Sequence, residues 1–178
     1  MADLAKTMDQ AIKAMVNREG KYLSFWLAGE EYGIGILKVK EIIGMMPITT
    51  VPRTPAFLKG VINLRGKVIP VVDLRLKFGM EEVGATERTC IVVVEIARQA
   101  SSVLTGVIVD SVSEVLNIKG ADIEETPNLG AKFDAGYVLG MAKISGGVKI
   151  LLDIGKVLGV EEMAASDKAA KNQPSTPC

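Results

Sequence analysis

The chain has 178 residues, 48% of them apolar and 24% charged, and its Lys+Arg and Asp+Glu totals balance at 21 each. That composition buries a core in one domain or two small ones, and the balance removes the electrostatic drive toward nucleic acid or a membrane surface. There is no histidine, so the commonest general base, the Ser-His and Cys-His pairs and the usual zinc ligand are all missing.

Residues 1–19 read as an amphipathic helix, because Leu4, Met8, Ile12 and Met15 recur at helical spacing. The opening MADLAKTMDQ lacks the apolar centre of a signal peptide, and no uncharged apolar run reaches the length of a membrane span. Next, KYLSFWLAGEEYGIGI places two apolar runs around Gly29-Glu30-Glu31, the pattern of a β-hairpin. Short helical pieces are expected at Lys38–Ile43, Leu74–Phe78, Ser113–Leu116 and Ile154–Leu158. The Met45-Met46 pair reads as core or edge packing, with an adaptable partner surface as the other reading.

The stretch KGVINLRGKVIPVVDLRLKFG, Lys59 to Gly79, invites a nucleotide reading through Gly60 and Gly66-Lys67. The spacing argues against it. A phosphate loop needs four residues between its glycines and a hydroxyl after the lysine; here there are five, and Val68 stands in the hydroxyl position. Two apolar runs flanking Arg65-Gly66-Lys67 make a hairpin the better reading. A small nucleotide-binding protein or enzyme using the Gly60–Lys67 loop remains the alternative. Further on, TCIVVVEIARQASSVLTGVIVD predicts another hairpin with its turn near Arg98–Ser102. Residues 161–178 are small and polar and contain two prolines, as in a flexible tail. Cys90 in an apolar run and Cys178 at the last position form no disulfide framework, which fits a reducing compartment.

The chain repeats itself. Gly66, Val68, Asp73 and Gly79 match Gly146, Val148, Asp153 and Gly159, all at an offset of 80, and Gly60 and Gly140 keep that offset. Val39 and Glu41 match Val112 and Glu114 at an offset of 73, within GIGILKVKEII and GVIVDSVSEVL. Two matches in one order imply two similar β subdomains, 20–86 and 87–160. The repeat leaves open which half each terminal element packs on. Asp73 and Asp153 each follow an apolar run and precede a helical piece, the place of an N-cap rather than of a catalytic carboxylate. Glu30-Glu31 and Glu81-Glu82 read as solvated turns. No residue is nominated as catalytic or metal-binding, and no cofactor is expected.

Three segments, EEYGIGILKVKEI, VPRTPAFLKGVINLRGKVIPVVDLRLKFG and GVIVDSVSEVL, carry a resemblance. They are similar to the CheW family of chemotaxis coupling proteins, and the similarity covers about residues 20–160. The resemblance implies an all-β fold: two SH3-like five-stranded β-barrels with short helices and a hydrophobic seam between them. It implies a non-enzymatic cytoplasmic adaptor, recruited to membrane-associated receptor arrays without inserting into the membrane. Its partners would be the cytoplasmic tip of methyl-accepting chemoreceptors and the regulatory domain of the chemotaxis histidine kinase. The same fold occurs as a domain of that kinase and of fused adaptors; at this length the expectation is the free-standing form. Positions matching the family's receptor site are Val39, Glu41, Gly60, Asn63 and Arg65. Those matching its kinase surface are Ile48 and Val68, near the unusual Met45-Met46. For Arg65 the plain alternative is a solvated turn charge; for Ile48 and Val68 it is burial in their own barrel. A generic SH3-like module for peptides or single strands is disfavoured, since base stacking needs exposed rings on a basic groove and aromatics are 4%.

Overall fold

The computed structural model describes residues 19–98, 101–125 and 135–159. The expected N-terminal helix but for Glu19, the expected C-terminal tail and residues 99–100 of the expected turn near Arg98–Ser102 lie outside these.

Among the described residues eleven strands run in chain order: β1 (Gly20–Leu27), β2 (Glu30–Gly35), β3 (Val39–Gly44), β4 (Leu58–Leu64), β5 (Lys67–Asp73), β6 (Cys90–Arg98), β7 (Ser101–Val109), β8 (Ser111–Ile118), β9 (Ile123–Glu124), β10 (Val138–Ile144) and β11 (Gly147–Leu152). Two one-turn helices follow β5 and β11: α1 (Leu74–Lys77) and α2 (Ile154–Val157). The strands form two sheets. One has the order β3-β6-β7-β5-β4, the other β8-β1-β2-β11-β10-β9. The fold is two SH3-like β subdomains, the second carrying the two-residue β9 as an extra edge piece.

The sheets do not follow the contiguous halves 20–86 and 87–160. The hairpin β1–β2 belongs with β8–β11, and the hairpin β6–β7 belongs with β3–β5. If β1–β5 are laid on β6, β7, β8, β10 and β11, the two strand orders coincide. Each half therefore gives its first hairpin to the other half's barrel. The chain leaves β2 through a 3-10 turn at Ile36–Lys38 and enters β3 in the other sheet; it leaves β7 and re-enters as β8 across Asp110 alone. The repeat in sequence records the order of elements, which is the same whether the hairpins are kept or exchanged.

Three tight turns share one construction. Ala28-Gly29, Arg65-Gly66 and Ser145-Gly146 all have positive φ at both residues, the conformation of two-residue hairpins whose twist matches the strands. The first two turns are thus one residue earlier or shorter than the sequence suggested: Glu30 and Lys67 already pair within strands. Two of the expected helical pieces are strand instead. Lys38–Ile43 is mostly β3 and Ser113–Leu116 lies in β8, where pairing with β6 and β1 supplies the backbone partners that a lone helical turn lacks. The other two are α1 and α2. Each is capped as expected: Asp73 accepts from the Arg75 N–H at 2.9 Å and Asp153 from the Lys156 N–H at 3.2 Å.

Packing is in three layers. Ile62, Ile69, Val71, Ile91 and Val93 fill the first barrel. Tyr22, Ile118, Ile123, Ala142 and Leu151 fill the second. The largest cluster is the seam, with Leu23, Phe25, Val72, Val92, Val107 and Leu152 among its members. Neighbouring residues thus point into different cores: Val71 into a barrel and Val72 into the seam, Leu151 and Leu152 likewise. That is why these strands read as unbroken apolar runs rather than alternating ones. A ladder of rings, Phe25–Tyr32–Phe78–Tyr137, with centroids about 6 Å apart, lies along the seam.

A polar clasp supports the seam. The Arg75 Nε donates to Asp110 Oδ1 at 2.8 Å, and the Ala28 N–H donates to Asp110 Oδ2 at 2.9 Å. One carboxylate thereby joins α1, the β7–β8 crossing and the β1–β2 turn. The Arg75 hydrogen bond holds the Asp110 carboxyl below its ordinary value. Asp73 is shifted the other way, chiefly by burial.

Gly60 and Gly140 show the repeat at atomic scale. A Cβ on Gly60, whose φ is +145°, would lie 2.1 Å from the Thr49 carbonyl oxygen; one on Gly140 would lie 2.7 Å from Ile123 Cγ2 and 2.9 Å from the Glu124 oxygen. Both sit at register shifts where another strand crosses. Gly66, by contrast, faces open space. Gly60→Ala is expected to cost at least about 2 kcal/mol more than Gly66→Ala, read from urea midpoints. A folded-state value below the unfolded one gives Asp110 a stabilising role above an ordinary carboxylate value of about 4, lost as pH falls through its depressed value. Asp73 contributes the opposite slope. Asp110→Asn should therefore flatten the acid limb of a stability–pH curve, whereas Asp73→Asn should not.

Candidate interaction surface

The β4–β5 hairpin projects Arg65 at its tip, held by the left-handed Arg65-Gly66 turn. Asn63 braces that turn, its Oδ1 accepting from the Gly66 N–H at 2.9 Å. The Arg65 guanidinium reaches across to β3 and grips Glu41 with two bonds, 2.6 and 2.8 Å. The turn that ends edge strand β4 is so linked to the other edge strand, β3, and Thr49, in the segment after β3, bridges to Val61 on β4. The Arg65 bond holds the Glu41 carboxyl below its ordinary value, and Glu41 raises Arg65 in turn. Arg65 remains 72% exposed while its partner is half-buried. A second exposed pair, Lys40–Glu95 at 2.7 Å, joins β3 to β6.

Of the five receptor-matched residues, the structure brings three together: Glu41, Asn63 and Arg65. Val39, on the same strand as Glu41, is half-buried against the seam cluster. Gly60 is buried, and its close approach is to the chain's own Thr49 backbone and Ile48 side chain. The two kinase-matched residues part company. Val68, opposite Asn63 in the hairpin, is 71% exposed. Ile48 is half-buried against the first barrel's core. Sequence reasoning did not single out Ile42 on β3, a large apolar residue open to solvent; of the Met45-Met46 pair, read first as core or edge packing, Met45 is exposed. Nor did it anticipate that Glu41 and Arg65 form one unit. Their 24-residue separation carries no local signal, whereas Glu31, read as a solvated turn, lies on β2 and pairs with Lys149 across β2 and β11.

The Gly60–Lys67 stretch builds no anion cradle. It is strand, turn and strand; Gly60 is blocked by Thr49, and the Gly66 N–H is already taken by Asn63. Among the described residues, no group of three or more His, Cys, Asp or Glu could hold a metal ion, and no helix is long and apolar enough to cross a membrane. Because the Glu41–Arg65 pair lies at the surface, it should add little to stability. Arg65→Glu is expected to leave the urea midpoint and the far-ultraviolet circular dichroism of the protein unchanged.

A family model described as "CheW-like domain" matches residues 21–162. The chain is 39% identical over 172 residues to a chemotaxis protein CheW of Klebsiella aerogenes, covering 97% of this chain and 99% of that one. It is 34% identical over 159 residues to a chemotaxis protein CheW of Rhizobium meliloti, covering 89% of this chain and all of that one. Among solved structures it is similar to the scaffolding protein TtCheW from Thermoanaerobacter tengcongensis, with a TM-score of 0.71 at 38% identity, covering 81% of this chain and 95% of that one. An exchanged-hairpin pair of SH3-like barrels, matched over nearly its whole length, therefore belongs to the CheW-like family of chemotaxis scaffold proteins.

Proposed function

We propose that this protein is a non-enzymatic cytoplasmic adaptor. It couples the cytoplasmic tip of methyl-accepting chemoreceptors to the regulatory domain of the chemotaxis histidine kinase, and is recruited to membrane-associated arrays by those contacts. The observation that carries the reading is the composite surface on the first barrel. A paired Glu41–Arg65 fork and an exposed Val68 on the same hairpin as Arg65 both sit on that barrel.

The chemistry suits such partners. A helical hairpin presents carboxylates and an apolar stripe, and a planar guanidinium already oriented by a carboxylate loses little freedom on binding a second one. A partner barrel asks for something else, a compact apolar contact on a strand. Val68 offers this, on a strand paired with β4 in the hairpin. Two partner surfaces on one rigid body let head-to-tail contacts between similar barrels close into rings. The nucleotide alternative loses its structural basis with the Gly60–Lys67 hairpin.

Arg65→Glu should weaken binding to a purified receptor-tip fragment at least about tenfold, or roughly 1.4 kcal/mol, in calorimetry. The charge-exchanged double variant, Glu41→Arg with Arg65→Glu, should remain weak. An affinity unchanged in the single variant, or restored in the exchanged one, would mean that Arg65 is not a receptor contact. Val68→Asp should weaken binding to the kinase regulatory domain by a similar factor and spare the receptor fragment. Equal loss of both would count against two separate surfaces.

A further inference from the structure

Among the described residues, four other than glycine have positive φ: Ala28, Arg53, Arg65 and Ser145. The hairpins account for three. Ala28, Arg65 and Ser145 each precede a glycine in a two-residue turn whose twist demands that conformation. Arg53 belongs to no hairpin and is followed by a threonine. It sits at φ +59° at the centre of a turn, with Pro52 before it and the Thr54 hydroxyl donating to the Val51 carbonyl at 2.9 Å. A turn of this form takes proline at its second position and asks for glycine or asparagine at its third. An arginine there holds the backbone in a region unfavourable to larger side chains. The turn makes no use of that side chain: Arg53 is exposed and has no hydrogen bond or ion pair among the described residues.

The turn borders an open groove of about 550 Å³ that also takes in Ile48, Pro55 and Lys59. Both charged residues of the groove are cations, and among the described residues no Asp or Glu lines it. Lys59 is engaged by Glu82, which leaves Arg53 as the open charge. Ile48 lines the groove and packs on the core of the first barrel. We propose that Arg53 is a charge-reading contact, its guanidinium held at the rim of this groove to meet a carboxylate on the regulatory domain of the chemotaxis histidine kinase. The inference rests on the kinase reading above. It adds a residue at the opposite end of β4 from Val68.

Three arguments support that occupant. Charge is complementary: a groove with cations and no acid repels a basic partner segment and favours an acidic one. Geometry is complementary too, since a planar guanidinium takes a carboxylate through two parallel hydrogen bonds. The backbone beneath it is also set in advance. Pro52 has a fixed φ and Arg53 occupies a narrow left-handed well, so the side chain starts from one place and loses less freedom on binding. For stability alone, glycine or asparagine would serve this position better. The property they lack and arginine has is the positive charge.

The test is binding of the full-length protein to the purified kinase regulatory domain by surface plasmon resonance, with urea midpoints measured alongside. Arg53→Asn and Arg53→Gly remove the charge and relieve the turn. Each is expected to hold or raise the urea midpoint while weakening kinase-domain binding at least about threefold, mainly through slower association. The dependence of affinity on ionic strength should shrink with it, whereas Arg53→Lys should keep that dependence. Binding to the receptor-tip fragment should not change. Unaltered kinase-domain affinity in Arg53→Asn would overturn the proposal. So would a urea midpoint that falls with the affinity, which would make Arg53 a structural residue of its turn. A loss confined to the receptor fragment would assign the groove to the receptor and overturn it as well, as would an Arg53→Lys protein that has lost the ionic-strength dependence. If the unaltered protein does not bind the kinase domain, this inference falls together with the reading it rests on. If binding is lost in Val68→Asp and untouched in Arg53→Asn, the kinase surface stands and Arg53 alone is removed from it.

Discussion

The seam is the constraint on which the rest of the molecule depends. Strands that line a barrel on one face must also cover the seam on the other, so residue after residue is apolar in Ile91–Val94, Val71–Val72 and Leu151–Leu152. At about 25 cal/mol for each Å² of apolar surface removed from water, a shared layer of this kind stabilises both barrels at once. Two small sheets, each with a modest core of its own, become one rigid body. The exchanged hairpins strengthen the arrangement, because neither barrel is complete without strands from the other half of the chain.

Rigidity at the seam sets what the surface can do. The Arg75–Asp110–Ala28 clasp joins α1, a crossing strand and a turn through one carboxylate. The ring ladder from Phe25 to Tyr137 fills the space beside it. A scaffold transmits orientation between partners only if its own parts keep theirs. Side chains that make no demand on the core, such as Arg65 and Val68, are held exposed at fixed positions on the β4–β5 hairpin. Gly60 serves that end indirectly. By admitting the Thr49 backbone it closes the edge of the first barrel beneath the hairpin that bears them.

The candidate surface residues came from the family resemblance, and several of them fall in one hairpin. Asn63, Arg65, Gly66 and Val68 are near neighbours in sequence, and the turn chemistry that exposes them is local. The Glu41–Arg65 pairing was not legible, since it spans two sheet edges that only barrel closure brings together. Nor was the separate fate of Ile48 and Val68. Both are β-branched residues in apolar surroundings, and which one faces water depends on which strand crosses above Gly60. The misread helical pieces at Lys38–Ile43 and Ser113–Leu116 have the same cause. Short apolar segments satisfy either period, and the choice falls to whichever neighbour completes the hydrogen bonds.

From the sequence by itself came the all-β class, the hairpins with their left-handed glycine turns, the two aspartate caps and the duplication with its paired glycines. Each of these is settled by interactions within a few residues or by repetition that survives in the letters. Only the tertiary structure decided that the halves exchange their first hairpins, that neighbouring valines serve different cores, and that a glutamate on β3 finds an arginine on the β4–β5 turn. These choices are non-local. The same strand pattern fits either partner sheet, and the packing of the whole chain around one shared apolar seam selects between them.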